Sequence, residues 1–101
     1  MATLESRLSD DMVSALKAHD KQLTQTLRMA IAAIRTEKVA GKTARELSEA
    51  EEIVVLQREV AKRKDSAEAY TQGNRPELAA RELAEVDVIS RYLPAALSEA
   101  D

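Results

Sequence analysis

Gly41, Gly73, Pro76 and Pro94 are the only glycines and prolines in the 101 residues of this chain. They leave long stretches free of helix breakers, rich in Ala, Leu and straight-chain charged residues, which lose little rotamer freedom in a helix. Phe and Trp are absent, and Tyr70 and Tyr92 are the sole aromatics. A β-sandwich draws on β-branched and aromatic strands with frequent Gly/Pro turns, so this composition argues against one. A chain of this length buries one modest core and forms one domain.

Apolar spacing between the breakers gives four helices. Leu4, Leu8, Met12, Ala15 and Leu16 form a stripe on the first, over Leu4 to His19, with Thr3 as N-cap. Asp20 caps the second, Lys21 to Ala40, whose inner face is Leu23, Leu27, Ala30, Ile31 and Ile34. Gly41 is expected at its C′ position, where glycine tolerates the left-handed conformation. After a polar connection over Lys42 to Leu47, Ser48 and Glu51 have capping-box spacing. The third helix, Glu49 to Gln72, carries Ile53, Leu56, Val60 and Ala67, and Gly73 ends it. Pro76 suits the first position of the fourth, because its missing N–H has no intrahelical partner there. Leu78, Leu83, Val86, Ile89 and Leu93 are its expected buried face, and Pro94 stops it. The fold class is all-α, a small antiparallel assembly of four amphipathic helices over residues 1–94. With so few aromatics, alanines are expected to bring helices close together. Residues 95–101, with Ser98 before acids, read as the start of a further helix, so the chain is expected to end at a hinge to an absent or truncated C-terminal helical domain.

Several chemistries are excluded. With no cysteine, disulfides, thiolate nucleophiles, zinc–thiolate sites and iron–sulfur clusters are ruled out. His19 is the lone histidine, too few for a typical zinc site, and its place at a helix end suits a surface capping role. No Glu-x-x-His pair supports a di-metal bundle, and no Gly-rich phosphate loop or Gly-x-Ser-x-Gly elbow occurs. Ser66 beside Asp65 has no histidine to serve as base. No cofactor, metal or catalytic residue is expected. Glu59–Arg63, Lys64–Glu68 and Glu77–Arg81 stand at i,i+4 ion-pair spacing. No apolar run approaches a membrane span and the N-terminus has no apolar signal core, so a cytoplasmic protein is expected.

Basic residues are the one candidate site. Arg58, Lys62, Arg63 and Lys64 cluster on the third helix. Arg58 and Lys62 share an outer flank, Arg63 falls at the margin of the apolar stripe, and the Lys64 stem falls close to the stripe. Lys21, Arg28 and Arg35 repeat every seven residues along one flank of the second. If these helices are neighbours, the cations build one surface that holds phosphates by charge without reading sequence. The alternative is ordinary surface charge compensated by Glu59, Asp65 and Glu68. The net charge of −3 gives no global attraction to nucleic acid.

The residues also resemble a family. Thr26-Leu27-Arg28-Met29 with Ala32-Ala33-Ile34 is similar to the second-helix signature of the YqeY (GatB/YqeY domain) family. Leu47-Ser48, Val55 to Val60 and Lys62-Arg63-Lys64-Asp65-Ser66 resemble its third-helix signature. Gly73 to Ala79, Glu82 to Glu85, and Arg91-Tyr92-Leu93-Pro94 with Leu97-Ser98 follow in order. The resemblance implies a four-helix N-terminal domain and a smaller helical second domain, the latter similar to the tail of the GatB protein of the glutamine-dependent aminoacyl-tRNA amidotransferase. It implies association with tRNA and a family link to carbon–nitrogen ligases with glutamine as amido-N-donor, but no catalytic residue. The expected function is a non-catalytic accessory module near tRNA. The alternatives are a module that docks on a protein partner or on itself and, least supported, a stand-alone enzyme with converging Glu and Arg side chains in a deep pocket.

Overall fold

A computed structural model describes residues 3–94 of the chain. It contains four helices: α1 (Leu4–Lys17), α2 (Lys21–Lys38), α3 (Glu49–Gln72) and α4 (Pro76–Ser90). No strand occurs among the described residues. The all-α expectation holds. The expected helix start after Ser98, and the hinge over 95–101, lie outside the described residues.

The architecture is two antiparallel hairpins, α1–α2 and α3–α4, packed together with α2 against both α3 and α4. Both hairpin turns have one geometry. The His19 N–H donates to the Leu16 carbonyl (3.1 Å) and the Asp20 N–H to the Ala15 carbonyl (3.0 Å). In the second turn the Asn74 N–H donates to Thr71 (3.1 Å) and the Arg75 N–H to Tyr70 (2.8 Å). Each set satisfies two end-of-helix carbonyls in a Schellman motif, which needs a left-handed residue at C′. His19 (φ 60°) and Asn74 (φ 61°) fill that role.

Neither glycine does. Gly73 is one residue earlier, with φ −82°. α2 ends before Gly41, at Lys38, with Val39 as C-cap (φ −111°). The Arg45 N–H takes the Lys38 carbonyl at 3.0 Å, which closes the connection onto the helix end. The helix start signals hold. Asp20 accepts from Leu23 N–H (3.1 Å), and Ser48 and Glu51 form a reciprocal capping box. Pro76 is at the start of α4.

The core joins Leu4, Leu8 and Ala15 of α1, Leu27, Ala30, Ile31 and Ile34 of α2, Val55 and Leu56 of α3, and Ile89 of α4. Ala67 and Ala79 are also buried, one on each arm of the second hairpin. Three stripe assignments are corrected. Leu16 (56% exposed) and Leu83 (51%) face outward, while Val55 joins the core at 4%. Apolar spacing locates a helix face but not its width. The stripes widen or narrow with the number of helices packed against them.

Polar side chains complete the frame. Glu52, 3% exposed, reaches from α3 to the start of α1, where its two oxygens accept from Leu4 N–H and Glu5 N–H, each at 3.2 Å. Glu5 in turn holds Arg35 (2.9 Å) and Lys38 (2.5 Å) at the end of α2. The Tyr92 hydroxyl donates to the Asp11 carboxylate, and the Arg7 guanidinium stacks 5.5 Å from the Tyr92 ring centre. No helix among the described residues is long and apolar enough to cross a membrane.

Candidate nucleic-acid interface

α2 and α3 are neighbours, antiparallel along a groove of about 490 Å³. Ala32, Ala33 and Val55 contribute apolar lining, with Met29 at one end. Arg58, Lys62 and Glu37 bring charge to it. Small residues on α2 leave the space, because alanine fills little of the gap between two helix axes.

The structure separates the six candidate cations. Arg28, Arg35, Arg58, Lys62 and Lys64 are exposed. Arg63 is not: it is 3% exposed. Its Nη1 donates to Glu59 Oε1 (2.6 Å), its Nε to Glu85 Oε1 (3.1 Å), and its Nη2 approaches the Met29 sulfur (3.9 Å). It is therefore a bridge among α2, α3 and α4 and presents no guanidinium edge to solvent. Its position at the stripe margin is what buries it. The planar fork meets two carboxylates at once, the arrangement arginine serves best in a partly dry site. Lys64 differs in the other direction. Its side chain is exposed, although its place near the apolar stripe led to a stem lying on the core.

The remaining cations are partly compensated. Arg58 pairs with Glu37 (2.9 Å), Lys62 lies 3.7 Å from Glu59, and Arg35 pairs with Glu5. Arg28, Lys21 and Lys64 make no ion pair among the described residues. Glu59–Arg63 forms as its spacing predicts, whereas Glu77 pairs with Arg75 (3.2 Å) rather than Arg81. The compensating acids are Glu5, Glu37 and Glu59; of the expected three only Glu59 takes part, and Asp65 and Glu68 do not. Glu37 lies on the other helix, so no reading of α3 alone could have found it.

A second hollow, of about 480 Å³, opens at the α1–α2 corner and is lined by Leu16, His19, Asp20, Lys21, Thr24, Gln25, Arg28 and Met29. Met29 lines both hollows. Through it the two hollows adjoin, with Lys21 and Arg28 in one and Lys62 and Arg58 in the other, whereas Arg35 lies on another flank beside Thr3, Glu5 and Ser6, and Lys64 lines neither hollow.

In the α2–α3 groove the Glu and Arg side chains converge on each other as ion pairs, and Thr36 contributes a hydroxyl. Among the described residues no group of three or more His, Asp or Glu is placed to hold a metal ion.

A search of curated proteins returns no match. A family model described as Yqey-like protein matches residues 5–101, and the chain belongs to that family.

Proposed function

We propose that this chain is a non-catalytic accessory module that associates with tRNA through the phosphate backbone, as its resemblance to a family whose second domain is similar to the tail of the amidotransferase GatB protein implies. The observation that carries the reading is the pair of adjoining hollows that meet at Met29, one with the exposed Lys21 and Arg28 and the other with the exposed Arg58 and Lys62. The ion pairs on Arg58 and Lys62 do not disqualify them. Both side chains are more than half exposed, at 60% and 69%, and exposed pairs contribute only about 0–1 kcal/mol, so an arriving phosphate displaces the carboxylate readily. Phe, Tyr and Trp are absent from the lining of both hollows and His19 is the one ring there, so contact is chiefly with phosphates. Any part in amide transfer is then by association, because the groove supplies no activated nucleophile.

Mobility shift with bulk tRNA at low and moderate salt tests this. Binding should appear at low salt and weaken as salt rises. Arg58→Glu with Lys62→Glu should reduce it strongly and flatten the salt slope by about 2. Absence of binding at low salt, or binding untouched by the double change, defeats the reading.

A second reading, docking on a protein partner, is favoured by the apolar hollow at the α1–α2 corner. Pull-down with and without nuclease separates the two, since a protein contact survives removal of RNA.

A further inference from the structure

We propose that the α1–α2 corner docks an amphipathic helix from a partner protein, apolar along one edge and acidic on its flanks. The site is one end of the cation-bearing surface and includes its Lys21, Arg28 and Met29, but the exposed Leu16 and Met29 side chains have no use in phosphate binding.

Three observations point to that occupant. The first is apolar exposure in a concave place. Leu16 (56% exposed) and Met29 (38%) face the hollow, and Val13 (42%) stands one turn before Leu16 on α1. A hollow of about 480 Å³ accepts several side chains, and an unbranched Met adapts its shape to whichever enters. Helical ligands insert such anchors at i, i+3 or i+4, and i+7.

The second observation is the charge of the rim. The chain as a whole carries −3, and eight of its fifteen Lys and Arg residues make ion pairs among the described residues, Arg58 with Glu37 and Arg63 with Glu59 and Glu85 among them. Lys21 and Arg28 line the hollow and make no ion pair among the described residues. The Asp20 carboxylate, which accepts the Leu23 N–H as the α2 cap, also lines the hollow, so two cations stand there against one carboxylate. The corner is therefore a local positive rim on an acidic molecule, complementary to acids on a partner.

The third is rigidity. The His19–Asp20 turn is held by the two Schellman bonds and by the Asp20 cap, so the two walls of the hollow are set before a ligand arrives. A nucleic acid would leave the exposed Leu16 side of the hollow unused, which favours a peptide.

The test is a titration of the isotopically labelled chain, followed by amide and methyl NMR. The probe is a synthetic helix-forming peptide with leucines at i, i+3 and i+7 and glutamates on both flanks, and its control is the same peptide with lysine flanks. Expected are saturable shifts at Leu16, Thr24, Arg28 and Met29 with the glutamate peptide alone, weakening with salt. Leu16→Glu or Met29→Glu should lower affinity roughly tenfold or more, with thermal melts confirming that these outward-facing changes leave the fold intact. Arg58→Glu with Lys62→Glu should weaken tRNA binding strongly and leave peptide binding in place, so failure of either proposal is read separately. The inference is overturned by no saturable shift, by equal binding of the lysine peptide, or by shifts centred elsewhere. It is also overturned if the corner is covered by a second copy, seen as concentration-dependent self-association that Leu16→Glu abolishes.

Discussion

Glu52 of α3 caps Leu4, the first residue of α1, across 48 positions of sequence, with an Oε1 to N–H distance of 3.2 Å. Its other oxygen takes the Glu5 N–H, and Thr3 Oγ1 takes that of Ser6 (3.0 Å). The Arg7 N–H then starts the regular ladder by donating to Thr3 (3.0 Å). All the free donors at this helix end are accounted for, and a negative charge lies at the positive end of its dipole.

Glu52→Ala should therefore destabilise the fold by about 2 kcal/mol, since it leaves a buried N–H without a partner. Urea unfolding checks the size. The amide shifts of Leu4 and Glu5 should move most. A loss under about 0.5 kcal/mol would mean that water replaces the carboxylate.

Arg63→Met should cost about 3 kcal/mol, because Glu59 and Glu85 lose their shared partner in a partly dry site. Adding Glu85→Leu should recover much of that loss. The same unfolding experiment decides it: if the double variant is no more stable than the single one, the charge of Glu85 is not what Arg63 offsets.

Stability should fall at both ends of the pH scale, from different groups. The Lys38 and Arg35 side chains hold the Glu5 carboxyl below its ordinary 4.5, so its contribution is present above that value and lost as pH falls through the folded one. Glu5 in turn raises Lys38 above 10.5, and that contribution is present below 10.5 and lost as pH climbs. Burial and the Asp11 carboxylate raise Tyr92 above its ordinary 10.0, with the same sign. Melting temperature against pH should show Glu5→Gln flattening the acid limb and Tyr92→Phe flattening the alkaline one.

The α3–α4 turn should respond oppositely at two adjacent positions. Gly73→Ala should stabilise by about 0.4–1 kcal/mol, because its φ of −82° suits any residue and the new Cβ would meet Ala69 O at an ordinary 3.4 Å. Asn74→Ala should destabilise by about 1 kcal/mol, because φ is 61° there. Thermal melts of the two variants should move in opposite directions.

Much of this molecule is written locally. Helix number, most helix boundaries, the caps at Thr3, Asp20 and Ser48 and the start of α4 at Pro76 follow from residues within a turn of where they act, so they were legible in the sequence. The resemblance carried by the second- and third-helix residues gave the right family. What only the tertiary structure decided is which side of each stripe meets a neighbour. That choice buried Arg63 and exposed Leu16, joined α2 and α3 along Met29, and supplied Glu37 and Glu52 as partners from other helices. The physical reason is range. Caps and propensity act over four residues, whereas the desolvation that turns a cation into a bridge, or an apolar side chain into a docking surface, depends on what packs from dozens of residues away.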